Sequence, residues 1–286
     1  MAEQAFLSQT DSKTLYGKPG LDLLLVETAQ CRAVVSLQGA QVLEFQARDR
    51  APLLWLSPLA SMDAGVAVRG GVPLCLPWFG EHADPEKPKH GLVRNRIWRL
   101  AASEQRASGE VELQFVFEHP GDALFTAPFM CLLTITLGET LRFDLELENR
   151  ASESAEFSWA LHTYFAVDDI ASVAVDGLDG VEYLDKTQGF SRHRLTGKQE
   201  FQGEVDRVFE SAPATQAIEI SNPIVTHSDN CDTVITWNPG AELAAGIGDI
   251  GDHYRGFVCV EHGNAFANRW LLAAGEGARA SLVLSR

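Results

Sequence analysis

The sequence predicts an all-β chain folded as a large antiparallel β-sandwich, on three observations. Apolar and polar residues alternate strictly over several stretches, helical periodicity is scarce, and no motif returns at a fixed period. Alternation with one wet face is the mark of an antiparallel sheet packed on a core. The missing repeat separates a sandwich from a propeller.

The alternation is clearest in two places. At 111–117, Val111, Leu113, Phe115 and Phe117 face one way, against Glu112 and Gln114. Over 140–148, Leu141, Phe143, Leu145 and Leu147 oppose Arg142, Asp144, Glu146 and Glu148. Further strands are predicted over 21–26, 32–36, 41–46, 130–137, 156–165, 233–237, 257–261 and 278–284, with Gly39 turning a hairpin between the second and third of these. A short turn of helix fits 241–250, and the polar loop 80–88 reads as a rim around a site. No linker or low-complexity block divides the 286 residues, so one domain spanning 1–286 is expected.

Composition narrows the function. A net charge of −16 and a pI of about 4.9 repel nucleic acid and anionic membranes, so any anionic ligand needs a locally basic pocket. No apolar run approaches the roughly 20 residues of a membrane helix. The polar start, 1–18, lacks the pattern of an export signal. Five cysteines without a C-x-x-C pair read as buried thiols of a reducing cytoplasm.

Four segments could carry chemistry. In 156–165, alternation puts Phe157, Trp159 and Leu161 on one face and Ser158, Ala160, His162 and Tyr164 on the other. His162 then faces a site, or is a core histidine satisfied by a carbonyl. The apolar strand 257–261 ends in an acid, a histidine and a glycine turn; Glu261 there is a base with a raised pKa or half of a structural ion pair. Adjacent Glu261 and His262 lack the spacing of a zinc site. In 68–80, Gly70 and Gly71 would let backbone approach a ligand, and Arg69 could grip phosphate or pair with a carboxylate. No phosphate-loop glycine pattern is present, which argues against nucleotides. In 89–98, Lys89, His90, Arg94 and Arg96 concentrate positive charge in an acidic chain.

Taken together, RGGVP (69–73), PWFG (77–80), HGLVR (90–94), ALHTYF (160–165), EVDRVF (204–209), residues 234–239 and VEHGN (260–264) resemble the galactose mutarotase-like superfamily. They are most similar to its hexose-6-phosphate mutarotase branch, the glucose-6-phosphate 1-epimerases. The resemblance implies a sugar site on the concave face of a β-sandwich, with His162 and Glu261 catalytic and Arg69, His90, Arg94 and Asp206 contacting substrate. Lys89 stands where the family often has Gln, and Leu92 and Val93 replace a commoner Phe-Ala pair. Lys89 could thereby strengthen phosphate binding.

Such a reaction needs only proton transfer, with Glu261 taking the anomeric proton and a protonated His162 giving one to the ring oxygen. No cofactor or metal is expected, and the sugar phosphate is the expected partner of a monomeric chain. The carboxylate should raise the His162 pKa by stabilising its cation. Two other readings stay open: an aldose 1-epimerase for neutral sugars, and a non-catalytic sugar-binding sandwich in which His162, Trp237 and Glu261 hold a ligand.

Overall fold

The computed structural model describes residues 5–286; the first four residues of the stretch read for an export signal lie outside them. Two large antiparallel sheets dominate. The nine-stranded sheet runs, in spatial order, Gln199–Glu200, Ala174–Asp176, Thr215–Glu219, Ile224–Asp229, Gly277–Ser285, Leu141–Asn149, Phe129–Leu137, Val111–His119 and Arg99–Gln105. The eight-stranded sheet runs Ser191–Arg194, Glu182–Asp185, Val205–Phe209, Thr233–Asn238, Phe257–Asn264, Trp159–Leu161 and Leu74–Cys75, with Tyr164–Ala166 also paired to Phe257–Asn264. A four-stranded meander, Leu7–Asp11, Asp22–Glu27, Cys31–Ser36 and Gln41–Ala47, adds a third sheet.

The large antiparallel β-sandwich follows from the alternation. Val111, Leu113, Phe115, Leu141, Phe143, Leu145 and Leu147 are buried, while Glu112, Gln114, Asp144, Glu146 and Glu148 are only partly covered. One apolar cluster joins these side chains to Leu161, Phe165, Val234, Val258 and Val260 of the facing sheet and to Val35 and Val42 of the meander. Burial of that surface is the main stabilising term.

Most predicted strands appear within a residue or two of their expected ends, and Gly39 turns its hairpin at φ 73°. Two differ in an informative way. The strand expected to end at Glu261 continues to Asn264, because Gly263 lets its neighbour pass close by; a Cβ there would sit 2.1 Å from the Trp159 carbonyl oxygen. The strand expected over 156–165 is three short pieces, Ala155–Phe157, Trp159–Leu161 and Tyr164–Ala166. Its backbone leaves the ladder at His162, whose N–H donates to the Pro73 carbonyl instead.

The helix expected over 241–250 is the one turn Gly240–Ala244. Seven strands between 166 and 232 carry no strong sequence signal, being short or polar on both faces. Arg99–Gln105 is a further unanticipated strand; it closes one edge of its sheet and is wet on both faces. Gly70 and Gly71 approach backbone rather than ligand: a Cβ would lie 2.5 Å from the Trp55 oxygen and 2.2 Å from the Val42 oxygen, respectively. All five cysteines are free and buried. Among the described residues, no helix is long and apolar enough to cross a membrane.

Candidate active site

Strand register builds the site floor. Leu161 pairs with His262, and Tyr164 pairs with Cys259 in the same register, which brings the intervening His162 level with Glu261 on the neighbouring strand. On its other side Glu261 pairs with Ile235. The next row in register joins Asp206, Trp237, Cys259 and Tyr164. Residues opposite one another across a ladder share a face, and residues two apart along a strand share it too. Ile235, Glu261 and His162, with Asp206, Trp237 and Tyr164, therefore project together, and all six line one cavity of about 350 Å³. That volume lies within the range of small-ligand sites.

Loops supply the walls. Arg69, Pro73, Phe79, Lys89, His90 and Arg94 line the same cavity, as does Lys186. Arg69, Lys89, His90, Arg94, His162, Asp206 and Glu261, scattered through the chain, thus meet in one place. His90 has a left-handed backbone, φ 66°. Its N–H donates to the Gly80 carbonyl at 2.7 Å, and its Nδ1 accepts from the Gly80 N–H at 3.1 Å. Those bonds place the imidazole proton on Nε2 and set the ring edge-on to His162, centroids 5.5 Å apart.

His162 Nε2 lies 3.3 Å from Glu261 Oε1, both side chains being buried. Tyr164 stacks on the imidazole at 4.8 Å and 8°, and Trp237 meets it edge-on at 5.9 Å. The other carboxylate oxygen, Oε2 of Glu261, has no hydrogen-bond partner, nor has Nδ1 of His162. A buried polar atom left unpaired is costly, and such atoms gather where a ligand is to be met.

Electrostatics set the state of this pair. Burial, then the neighbouring Asp206 carboxylate, pushes Glu261 well above the usual carboxylate range against the pull of Lys186, Lys89 and Arg94. Burial holds His162 well below its ordinary value, helped by Arg94 and Arg69. This corrects the expectation that the carboxylate would raise His162: loss of solvent and nearby cations outweigh it. Burial thus favours the uncharged pair, a protonated carboxyl beside a neutral imidazole.

Arg69 is engaged on both sides, donating through Nε to Asp249 at 3.1 Å and through Nη1 to the Tyr164 hydroxyl at 3.0 Å. The carboxylate pairing weighed for it is therefore present, and Arg69 also lines the cavity. Arg94 donates through Nη2 to the Lys89 carbonyl, its Nε has no partner, and Lys89 Nζ lies 3.8 Å from Glu81. Four cations and three carboxylates (Glu204, Asp206 and Glu261) line the cavity. With Glu261 protonated, the pocket carries a positive surplus inside a chain of net charge −16.

Donor atoms of His162, Cys259 and Glu261 lie within 4.8 Å of one another, a ligand set of the kinds zinc accepts. A thiol ligates as thiolate, and burial next to Glu261 drives the Cys259 pKa well up.

Sequence reasoning missed Lys186 and Asp249 as members of the site. Lys186 had a local signal, since Asp185 and Gly189 bracket one helical turn. Asp249 had none, because its partner lies 180 positions away.

The chain is similar to known proteins over most of its length. The family model of aldose 1-epimerase matches residues 22–285. A candidate glucose-6-phosphate 1-epimerase of Escherichia coli K12 is 38% identical over 249 residues, covering 84% of this chain and 82% of its own. One from Cenchrus ciliaris is 31% identical over 282 residues, covering 93% and 85%. The crystal structure of a candidate mutarotase, YeaD, from Salmonella typhimurium superposes with a TM-score of 0.89 at 32% identity, covering 99% of this chain and 95% of that one. A match across nearly the whole length, on a sandwich whose neighbouring strands bring a histidine against a glutamate, makes the chain a member of the aldose 1-epimerase family.

Proposed function

We propose that the chain interconverts the α and β anomers of a hexose 6-phosphate, glucose 6-phosphate first among them, by opening and reclosing the sugar ring. The observation that carries this reading is the His162–Glu261 pair, 3.3 Å apart in a cavity with surplus positive charge. Two groups that close can each address one of the two oxygens on a single anomeric carbon.

In the forward step the Glu261 carboxylate accepts the proton of the anomeric hydroxyl. A carbonyl forms at C1, the C1–O5 bond breaks, its electron pair moves to O5, and O5 takes the proton from His162 Nε2. Rotation about C1–C2 presents the other carbonyl face, and the same transfers in reverse close the ring as the opposite anomer. With the ring open, the pair is a protonated Glu261 beside a neutral His162, the state burial favours. The ionic starting state, a carboxylate beside an imidazolium, differs from it by one proton transfer across the 3.3 Å between Glu261 Oε1 and His162 Nε2. Proton transfers account for the whole bond change.

Arg94 and Lys89, neither held by a carboxylate closer than 3.8 Å, are the phosphate ligands on this reading. Arg69 and His90 line the sugar, and Asp206 accepts one of its hydroxyls. The cationic surplus favours this substrate over the neutral sugars of an aldose 1-epimerase. A reducing compartment, the cytoplasm, suits the five free thiols, and the net charge argues against nucleic acid as a partner. A monomer of one domain, 1–286, is the expected working unit, supported by the apolar cluster that draws on all three larger sheets.

The test follows equilibration of freshly dissolved α-anomers of glucose 6-phosphate and glucose. Wild type should accelerate the phosphorylated sugar strongly, and His162→Ala or Glu261→Gln should remove most of that acceleration. Binding without faster equilibration would replace this reading with a sugar-binding module.

A further inference from the structure

Lys186 belongs to a turn built to aim it. Asp185, 3% exposed, accepts from the Thr187 N–H at 3.0 Å, the Thr187 hydroxyl at 2.6 Å and Gln188 Nε2 at 3.1 Å. Gly189 closes the turn with φ 63°, and the Phe190 N–H returns to the Asp185 carbonyl at 2.8 Å. From this capped turn Lys186 Nζ donates to Asp206 Oδ2 at 2.5 Å, with side chains 20% and 16% exposed. Asp206 stands in the floor row with Trp237 and Tyr164, and its second oxygen takes no hydrogen bond from the described residues. One oxygen is thereby fixed by a cation and the other left to a ligand hydroxyl.

We propose that Lys186 is a positioning residue that orients Asp206 as the acceptor for one ring hydroxyl, so that the pair discriminates among hexoses by the configuration at that carbon. This inference rests on the mutarotase reading above. Lys186 acts through the carboxylate, to which its ammonium donates at 2.5 Å, whereas Lys89 and Arg94 have no carboxylate closer than 3.8 Å and are left to the phosphate. A fixed acceptor penalises an epimer whose hydroxyl points elsewhere, since a carboxylate oxygen covered by the bound sugar is then left unpaired.

The groups facing Asp206 are Lys186, Lys89, Asp185, Glu204, Glu261 and Cys259. Burial raises the Asp206 pKa, and Lys186 is the largest influence that lowers it again. Loss of the ammonium therefore moves Asp206 protonation to higher pH, and binding that needs the carboxylate weakens as pH falls through that higher value.

A double-mutant cycle tests the assignment, with Lys186→Met, Asp206→Asn and the double variant assayed for kcat and KM on glucose 6-phosphate and on glucose. Lys186→Met should lower kcat/KM about 10- to 100-fold on both sugars, mostly through KM, the scale of one charge-assisted hydrogen bond. In the Asp206→Asn background the same change should cost under about threefold. Its acid limb in kcat/KM should move to higher pH in the first background only, which separates Asp206 from Glu261, on which Lys186 also acts. Lys186→Arg should recover most of the loss, and Lys186→Gln replaces the methionine variant if that one melts early. Additive losses, or a loss confined to the phosphorylated sugar, would overturn the inference while leaving the mutarotase reading intact. A wild type that accelerates no sugar would remove that reading, and this inference with it.

Discussion

Replacing Glu261 by glutamine should slow the enzyme and stabilise it in the same molecule. The amide cannot take the anomeric proton, and a positioned base contributes about 10²- to 10⁴-fold, or roughly 2.7–5.4 kcal/mol of barrier. Stability moves the other way. In the unfolded chain this carboxyl titrates near 4.3, whereas burial beside Asp206 holds it well above that in the fold. Its contribution to stability is fully present below the unfolded value and is lost as pH rises toward the folded one, by about 1.4 kcal/mol for each pH unit of that window. Glutamine carries no such loss. Melting temperatures from pH 5 to 8 should show the variant gaining on wild type as pH rises, by roughly 2–4 °C per kcal/mol in a protein near this size. Anomerisation of glucose 6-phosphate, corrected for the spontaneous rate, gives kcat on the same preparations. A variant within tenfold of wild-type kcat, or a stability difference that does not change with pH, would refute the placement of a buried, proton-bearing carboxyl at the reacting carbon.

Other consequences are more local. Burial holds the His262 imidazole down to about 3, and its Nε2–H donates to the Gln216 side-chain oxygen at 2.8 Å. Because the unfolded value is near 6.5, stability is lost as pH falls below it, and acidification from pH 7 to 5 should cost about 2 kcal/mol through this group. Urea unfolding of His262→Gln at the two pH values should show a pH-dependent loss smaller by that amount. Arg94→Ala should lower kcat/KM about 10- to 150-fold for glucose 6-phosphate, the scale of hydrogen bonds to a charged group, and leave glucose nearly unchanged; equal losses would mean the arginine does not read phosphate. Gly263→Ala should lower the melting temperature through about 1–3 kcal/mol of overpacking against the Trp159 carbonyl and reduce kcat by displacing the Glu261 strand; an unaltered melting curve would show that the strands separate freely there.

What could be read from the sequence follows from where each piece of structural information resides. Val111–His119 and Leu141–Asn149 announce themselves because one face of each is dry and the other wet, and that contrast is written into consecutive residues. Arg99–Gln105 is invisible by the same logic, since an edge strand wet on both faces has nothing to alternate. Alternation put His162 and Tyr164 on one face, which the stacked rings express. It could not say that Glu261 lies opposite, because that depends on the ladder pairing Leu161 with His262 and Tyr164 with Cys259, and only the family motifs supplied the pairing in advance. Nor could it give the protonation of the pair. A glutamate beside a histidine in water favours two charges; the same two side chains buried in the sheet favour a proton on the carboxyl and no charge. The free energy that distinguishes those states belongs to the solvent the fold removes, so the chemistry of the site is a property of the packed sheet as much as of the residues it displays.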